Sequence, residues 1–213
     1  NSRPLQKEFL VTIKRLLAAF LSLASLGVLA APVQWSTAAG GNGHYYEYVL
    51  SPTGAGYTWD EAAADAATRS HLGVVGHMAT VTSQAEQDFI FTSVSSLTAW
   101  LGGNDREEEG VWRWVAGPEA GTIFYIAGAA AQPGFSFWSA GEPNDCCSGE
   151  DDLQINWDMG SGRWNDHGTP SFTTATWGYI IEYSMAPQQV PEPASLALVL
   201  GALCAVGGWR RRR

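Results

Sequence analysis

Residues 142–152 read EPNDCCSGEDD, from Glu142-Pro143-Asn144 to Glu150-Asp151-Asp152. Five of these eleven side chains are carboxylates, and no Lys or Arg lies among them. Such a run is either a solvated loop or a place where a cation offsets the repulsion between like charges. The donors are hard oxygens: the carboxylates and the amide of Asn144. Sets of roughly six to eight such oxygens suit Ca²⁺ better than zinc. A structural zinc needs several Cys or His at set spacing, whereas Cys146 and Cys147 are adjacent. Further along, Trp164-Asn165-Asp166 supplies another amide and another carboxylate beside an apolar residue.

Outward from this loop the chain punctuates into short elements. HYYEYVL, ending at Leu50, alternates as a strand does. Trp59, Ala62, Ala63 and Ala66 share one face at helical spacing, with Thr58 or Asp60 as cap. Met78 to Val81 reads as a short strand. Ser83 and Glu86 have the spacing of a capping box, opening a second helix that carries Phe89, Ile90 and Val94. Thr98 to Gly102 and Gly110 to Trp114 read as strands, residues 116–162 as a long Gly-, Pro- and Asp-rich loop, and Gly178 to Tyr183 as a buried closing strand. Helices early and short strands late predict an α+β class rather than alternating βαβ.

Taken together, these pieces resemble the C-type lectin-like domain over about residues 44–183. Trp59-x-x-Ala62 resembles the family's first helix, and His77-Met78-Ala79-Thr80-Val81 a strand of it. Trp100-Leu101-Gly102, Trp112-x-Trp114 and Trp138, four residues before Glu142, follow in the family's order. The resemblance implies an α+β fold of two helices, small antiparallel sheets and a long calcium-binding loop region. It implies a primary Ca²⁺ held by Glu142, Asn144, Glu150, Asn165 and Asp166, with a cis peptide before Pro143. Glu142, Asn144, Glu150 and Asn165 would also bind the sugar. The order EPN implies mannose, glucose, N-acetylglucosamine or fucose. Asp105, Glu109, Asp145 and Asp151 match an auxiliary Ca²⁺ site. Ala66, Asp152 and Ile181 stand where the family has cysteines, so its usual disulfides are missing. The Cys146-Cys147 pair could be bonded, reduced or cross-linked to a partner. Of the histidines, His167, next to Asp166, is the one within reach of a ligand.

The chain's ends read as sorting signals. Lys14 and Arg15 precede an apolar run, Leu16 to Ala30, with small residues at Leu29-Ala30-Ala31: a signal peptide over residues 1–31. The domain is expected over 32–184, followed by a Pro-rich linker at 185–193. Val190-Pro191-Glu192-Pro193, an apolar stretch to Trp209 and four arginines resemble the PEP-CTERM sorting signal of exopolysaccharide-producing Gram-negative bacteria. That implies an exosortase-type processing enzyme, transient anchoring through residues 194–213, and delivery to the surface or matrix. Between Pro32 and Val190 there are four Arg, no Lys and nineteen acids, a balance of −15. A surface of that sign disfavours nucleic acid. The leading reading is an exported, non-catalytic, calcium-dependent carbohydrate-binding protein. The second is a matrix or adhesion module that makes protein contacts without sugar. A glycoside hydrolase would need two carboxylates flanking a bond, and those present read as calcium ligands instead.

Overall fold

The strand Gly178–Tyr183 is buried along its whole length and organises the fold. The computed structural model describes residues 31–147, 149–158, 160–168 and 176–186. Both expected sorting segments lie outside the described residues, Ala31 aside. The chain divides between Ala31 and Pro32, and the architecture below is that of the second unit.

In chain order the elements are β1 (Val33–Gln34), β2 (Tyr45–Leu50), α1 (Trp59–Ala66), β3 (Ser70–His71), β4 (Val74–Val75), β5 (His77–Met78) and α2 (Gln84–Phe89). They continue with β6 (Ala99–Asn104), β7 (Val111–Trp114), β8 (Ile123–Ile126), β9 (Asp152–Ile155), β10 (Trp164–His167) and β11 (Gly178–Tyr183). The main sheet runs β1-β2-β11-β6-β7-β8, with β5 on β11, β9 on β6, and β10 on β9. β11 pairs antiparallel with β2, Tyr179 opposite Val49, and parallel with β6, Tyr179 opposite Trp100. β3 and β4 form a separate hairpin. This is the α+β class expected, with one parallel pair in an otherwise antiparallel sheet.

Local chemistry accounts for the helices. Thr58 and Glu61 close a full capping box on α1, and Asp60 and Glu61 sit at the positive end of its dipole. Trp59, Ala62 and Ala66 form its buried face. At α2 the expected capping box is only half present. Ser83 accepts from the Glu86 N–H, but the Glu86 side chain turns inward to the Thr82 N–H and the Tyr46 hydroxyl. The helix ends in a single wide turn, Ile90–Val94. The stretch 116–162 is less loop-like than expected, because β8 and β9 lie within it. Met78–Val81 is a strand only at its first residue, paired with Ile181.

The core divides into two clusters. One joins Tyr46, Leu101, Trp112, Trp114, Phe124, Trp138, Leu153 and Trp164. The other joins Trp59, Ala62, Ala66, Met78, Trp100, Tyr179 and Ile181 beneath α1. Gly102 has no room for a side chain, since a Cβ there would stand 2.6 Å from the Met78 carbonyl oxygen.

Candidate functional site

Two tryptophans position the acidic loop. Trp164 opens β10 immediately before Asn165 and Asp166. Its ring meets Trp114, Phe124, Phe135 and Trp138 edge to face, and its indole N–H donates to Gln87 Oε1 at 2.8 Å. Trp138 pairs with Trp164 in a parallel bridge and packs on Trp112 at 4.8 Å. Edge-to-face packing of this kind fixes ring orientation as well as burying area. The arm carrying Glu142 and the strand carrying Asp166 therefore leave the core from adjacent anchors.

Asp166 is the hub of the loop. It is fully buried, and its Oδ2 accepts from the backbone N–H groups of Asn144 at 2.8 Å and Asp145 at 2.7 Å. Its Oδ1 is buried with no partner among the described residues, as is Glu142 Oε2. The Glu142–Pro143 peptide is cis. Burial, then Asp166 and Glu150 beside it, push the Glu142 carboxyl up to about 7. Glu150 is raised as well, by burial and by Asp166, against the opposing pull of His167. Glu142, Glu150 and Asp166 thus share one neighbourhood. Asn144 Oδ1 accepts from the Cys146 N–H at 2.8 Å, and the Asn165 side-chain amide donates to the Asp166 carbonyl. Cys146 and Cys147 are joined by a disulfide.

A second group forms where the β6–β7 turn meets the same loop. Carboxylate oxygens of Asp105, Glu109 and Asp151 lie within 4.8 Å of one another. Asp105 Oδ2 accepts from the Gly110 N–H at 2.9 Å, while its Oδ1 is buried without a partner among the described residues. Burial, with Glu109 and Asp151 nearby, drives Asp105 up to about 7. Asp145 is not in that triad. It stands close enough to raise both Glu109 and Asp151, and its Oδ1 accepts from the Glu150 N–H at 3.0 Å, which links the two groups.

Unpaired buried carboxylate oxygens are costly, and three occur here: on Asp105, Glu142 and Asp166. Among the described residues no arginine pairs with these three acids. Hard oxygen donors, negative charge and an unsatisfied lone pair fit a hard divalent cation at Asp105, Glu109 and Asp151, whose oxygens converge. Around Glu142, Glu150 and Asp166 like charge is crowded and two lone pairs are unsatisfied.

Two features of the site were not apparent from residue types. Arg106 grips Asp152 with both ends of its guanidinium, at 2.8 and 2.7 Å, reaches Asp60 at 2.7 Å, and lies over the Trp59 ring. It thereby ties the acidic loop to α1. An aromatic row also runs beside Glu150, from Trp100 through His167 to Trp157. Apart from the adjacency of His167 to Asp166, nothing in the sequence pointed to it.

Fold and site together define an α+β domain in which a long loop, the β6–β7 turn and β10 bring acids into two crowded groups. Comparisons with known proteins bear on the fold and on the C-terminal segment. Residues 189–213 match the PEP-CTERM protein-sorting motif, which marks export and sorting to the cell surface. The chain is 39% identical over 142 residues to halomucin of Haloquadratum walsbyi, covering 67% of this chain and 1% of that protein. It is 30% identical over 132 residues to the alpha-N-acetylgalactosamine-specific lectin of Patiria pectinifera, covering 59% of this chain and 67% of the relative. The C-type carbohydrate-recognition domain of cow CD23 superposes with a TM-score of 0.52 at 22% identity, covering 74% of this chain and 95% of that one. The chain belongs to the C-type lectin-like family. It spans well under two thirds of most of the curated relatives it matches. Among the described residues no helix is long and apolar enough to cross a membrane.

Proposed function

We propose that this protein is an exported, calcium-dependent carbohydrate-binding protein. Its primary site is Glu142, Asn144, Glu150, Asn165 and Asp166, and its auxiliary site Asp105, Glu109, Asp145 and Asp151. One observation carries the reading: Glu142, Glu150 and Asp166 crowd together while Glu142 Oε2 and Asp166 Oδ1 are buried without partners among the described residues. Bound Ca²⁺ would supply a positive charge and coordination positions open to two neighbouring sugar hydroxyls. The protein's own part is to aim donors and acceptors around it. The carboxylates of Glu142 and Glu150 accept from sugar hydroxyls, and the amides of Asn144 and Asn165 donate to them. Asp166 holds the loop backbone in place through Asn144 and Asp145. The auxiliary group braces the same loop from the β6–β7 side.

The EPN order supports sugars of the mannose, glucose, N-acetylglucosamine and fucose class. The sorting motif supports a Gram-negative source, processing by an exosortase-type enzyme, and a place at the surface or in the exopolysaccharide matrix. The membrane enters only through the C-terminal segment before that processing. The carboxylates are taken up by cation and hydroxyl contacts, so the protein acts by binding rather than by catalysis.

Calorimetric titration of the exported protein with mannose and with N-acetylglucosamine tests the reading. Heat of binding is expected in calcium, absent in chelator, and absent in Asp166→Asn. Calcium uptake with no response to either sugar would instead favour a module that makes protein contacts.

A further inference from the structure

We propose that Trp157 forms a second sugar subsite, so that the protein reads at least two linked sugar units rather than one. The inference rests on the carbohydrate-binding reading above and names the class of ligand that site takes: an oligosaccharide or polysaccharide chain.

Trp157 lies just after β9, in the connection to β10. It is 52% exposed, it belongs to neither core cluster, and its indole N–H has no partner among the described residues. A lone exposed apolar residue is ordinary and calls for no function. Trp157 differs in being held. Its ring lies 5.2 Å from that of His167, and the same imidazole is stacked at 5.8 Å on the fully buried Trp100. The backbone on either side is pinned. Asp158 Oδ1 accepts from the Ser161 N–H and hydroxyl at 3.2 and 2.8 Å. Asn156 Oδ1 accepts from the Gly162 N–H at 3.2 Å, and the Asn156 N–H donates to the Arg163 carbonyl at 2.7 Å. The indole is thus set in place before any ligand arrives, which lowers the entropic cost of using it.

Its position relative to the primary site gives the surface a purpose. His167 Nδ1 is 3.3 Å from Glu150 Oε1, and Glu150 is one of the proposed sugar-binding carboxylates. The exposed indole therefore begins one ring beyond the carboxylate. A sugar held at Glu142 and Glu150 by its hydroxyl edge has its glycosidic neighbour within reach of that ring. Sugar rings carry a face of C–H groups as well as a rim of hydroxyls. The C–H face packs on an aromatic plane, and the rim remains free for solvent or for the unpartnered indole N–H. Carboxylates and amides select the first unit, and Trp157 rewards a second.

The test is calorimetry on the full exported protein in calcium, pairing mannose with an α-linked mannobiose and N-acetylglucosamine with chitobiose. The disaccharide is expected to bind about three- to tenfold more tightly than its monosaccharide, a gain set by one aromatic contact. Trp157→Ala should erase that gain and leave monosaccharide affinity within about twofold, with an unchanged melting curve as the check on folding. Trp157→Phe should keep part of the gain. Equal affinity for the one- and two-unit sugars in the unmodified protein would overturn the subsite, as would a full disaccharide gain in Trp157→Ala. If no sugar binds the unmodified protein in calcium, the carbohydrate reading itself falls and the subsite with it.

Discussion

Without calcium, the domain should be more stable at pH 5 than at pH 7, and calcium should erase the difference. Asp105 and Asp152 set the size of the effect: they are 2% and 3% exposed, and their carboxyls are raised from 3.8 to about 7. For each, burial is the leading cause. Neighbouring acids add to it, and for Asp152 the Arg106 guanidinium opposes it. An acid whose folded pKa lies above its unfolded value favours folding at low pH, and that advantage is lost as pH rises towards the folded pKa. In the unfolded chain both groups have shed most of their proton by pH 5, whereas in the fold they keep it until about 7. Each therefore removes about 2 kcal/mol between pH 5 and 7, at ~1.4 kcal/mol per pKa unit.

Other groups act in the same direction. Glu47, Glu86, Glu109, Glu142, Glu150 and Asp151 are all raised, largely by burial. His44, raised by its hydrogen bond to Glu182, favours the fold below its ordinary value, an advantage lost as pH climbs past the raised one. Asp65 and Asp158 are lowered, but their window lies below the ordinary value of 3.8 and does not enter. For a domain of this size ~4 kcal/mol corresponds to a shift on the order of 10 °C in melting temperature. Ligand at about a thousandfold over its Kd adds ~4 kcal/mol to the folded state. Protons compete for Asp105 and Glu142, so that gain is large at pH 7 and small at pH 5. Scanning calorimetry at the two pH values, in chelator and in millimolar calcium, measures all four quantities. A chelated protein that melts as high at pH 7 as at pH 5 would refute the reasoning, because its crowded carboxylates would then be ionised at no cost.

Two further expectations concern the scaffold. Above pH 7, where Asp152 is ionised in the fold, Arg106→Ala leaves that carboxylate buried without its partner and should cost up to about 3–5 kcal/mol in urea unfolding at pH 8. Replacing both residues together, Arg106→Met with Asp152→Leu, should recover most of that loss. Gly102→Ala places a Cβ 2.6 Å from the Met78 carbonyl oxygen and 3.2 Å from that of Ala79, so β6 and the Met78–Ala79 segment must separate. A loss of about 1–3 kcal/mol is expected by the same measurement, and an unchanged midpoint would show that the strands yield freely.

The order of elements was legible because each carries a local signal. Thr58, one of the two caps the sequence offers, does cap α1, alternation marks β2 and β7, and the largely apolar pattern of β11 marks a strand buried on both faces. The burial of β9 on both faces was not legible, for a physical reason. The strand reads Asp152-Leu153-Gln154-Ile155, and alternation assigns its polar members to solvent. In the fold Asp152 and Gln154 are both buried, Asp152 held by Arg106 and Gln154 by the Thr176 hydroxyl at 2.6 Å. Partners so distant in sequence leave no trace in a short window. β8, Ile123–Ile126, was obscured by the glycines and prolines around it. The acids of the candidate site were legible as types and spacings. Their division between two groups, with Asp145 between them, depends on how the loop turns back at Cys146 and Gly149. Trp157 was invisible for the opposite reason to β9, since a tryptophan read from sequence is assigned to the core.

What stands at the three cysteine-like positions explains why calcium should matter more here than a disulfide-stapled scaffold would require. Ala66 and Ile181 are both fully buried and lie in one cluster with Trp59, Met78, Trp100 and Tyr179, so at these two positions apolar packing stands where the resemblance implies cysteine. Asp152 instead enters the Arg106 network, which reaches α1 through Asp60 and Trp59. A disulfide stabilises mainly by restricting the unfolded chain, and it does so whatever the pH or the cation. Packing and ion pairs act only in the folded state, and the buried pair is further weakened by desolvation. The vicinal Cys146–Cys147 bond closes too short a ring to restore the lost constraint. The fold therefore carries an acid-crowded loop with no long-range covalent staple among the described residues, and a bound cation is the natural counterweight to that crowding. In this chain the carboxylates that would recognise sugar and those that would hold the loop together lie in one segment, with Asp145 linking the two groups through the Glu150 N–H. Loss of calcium should for that reason loosen the loop and abolish binding in a single step.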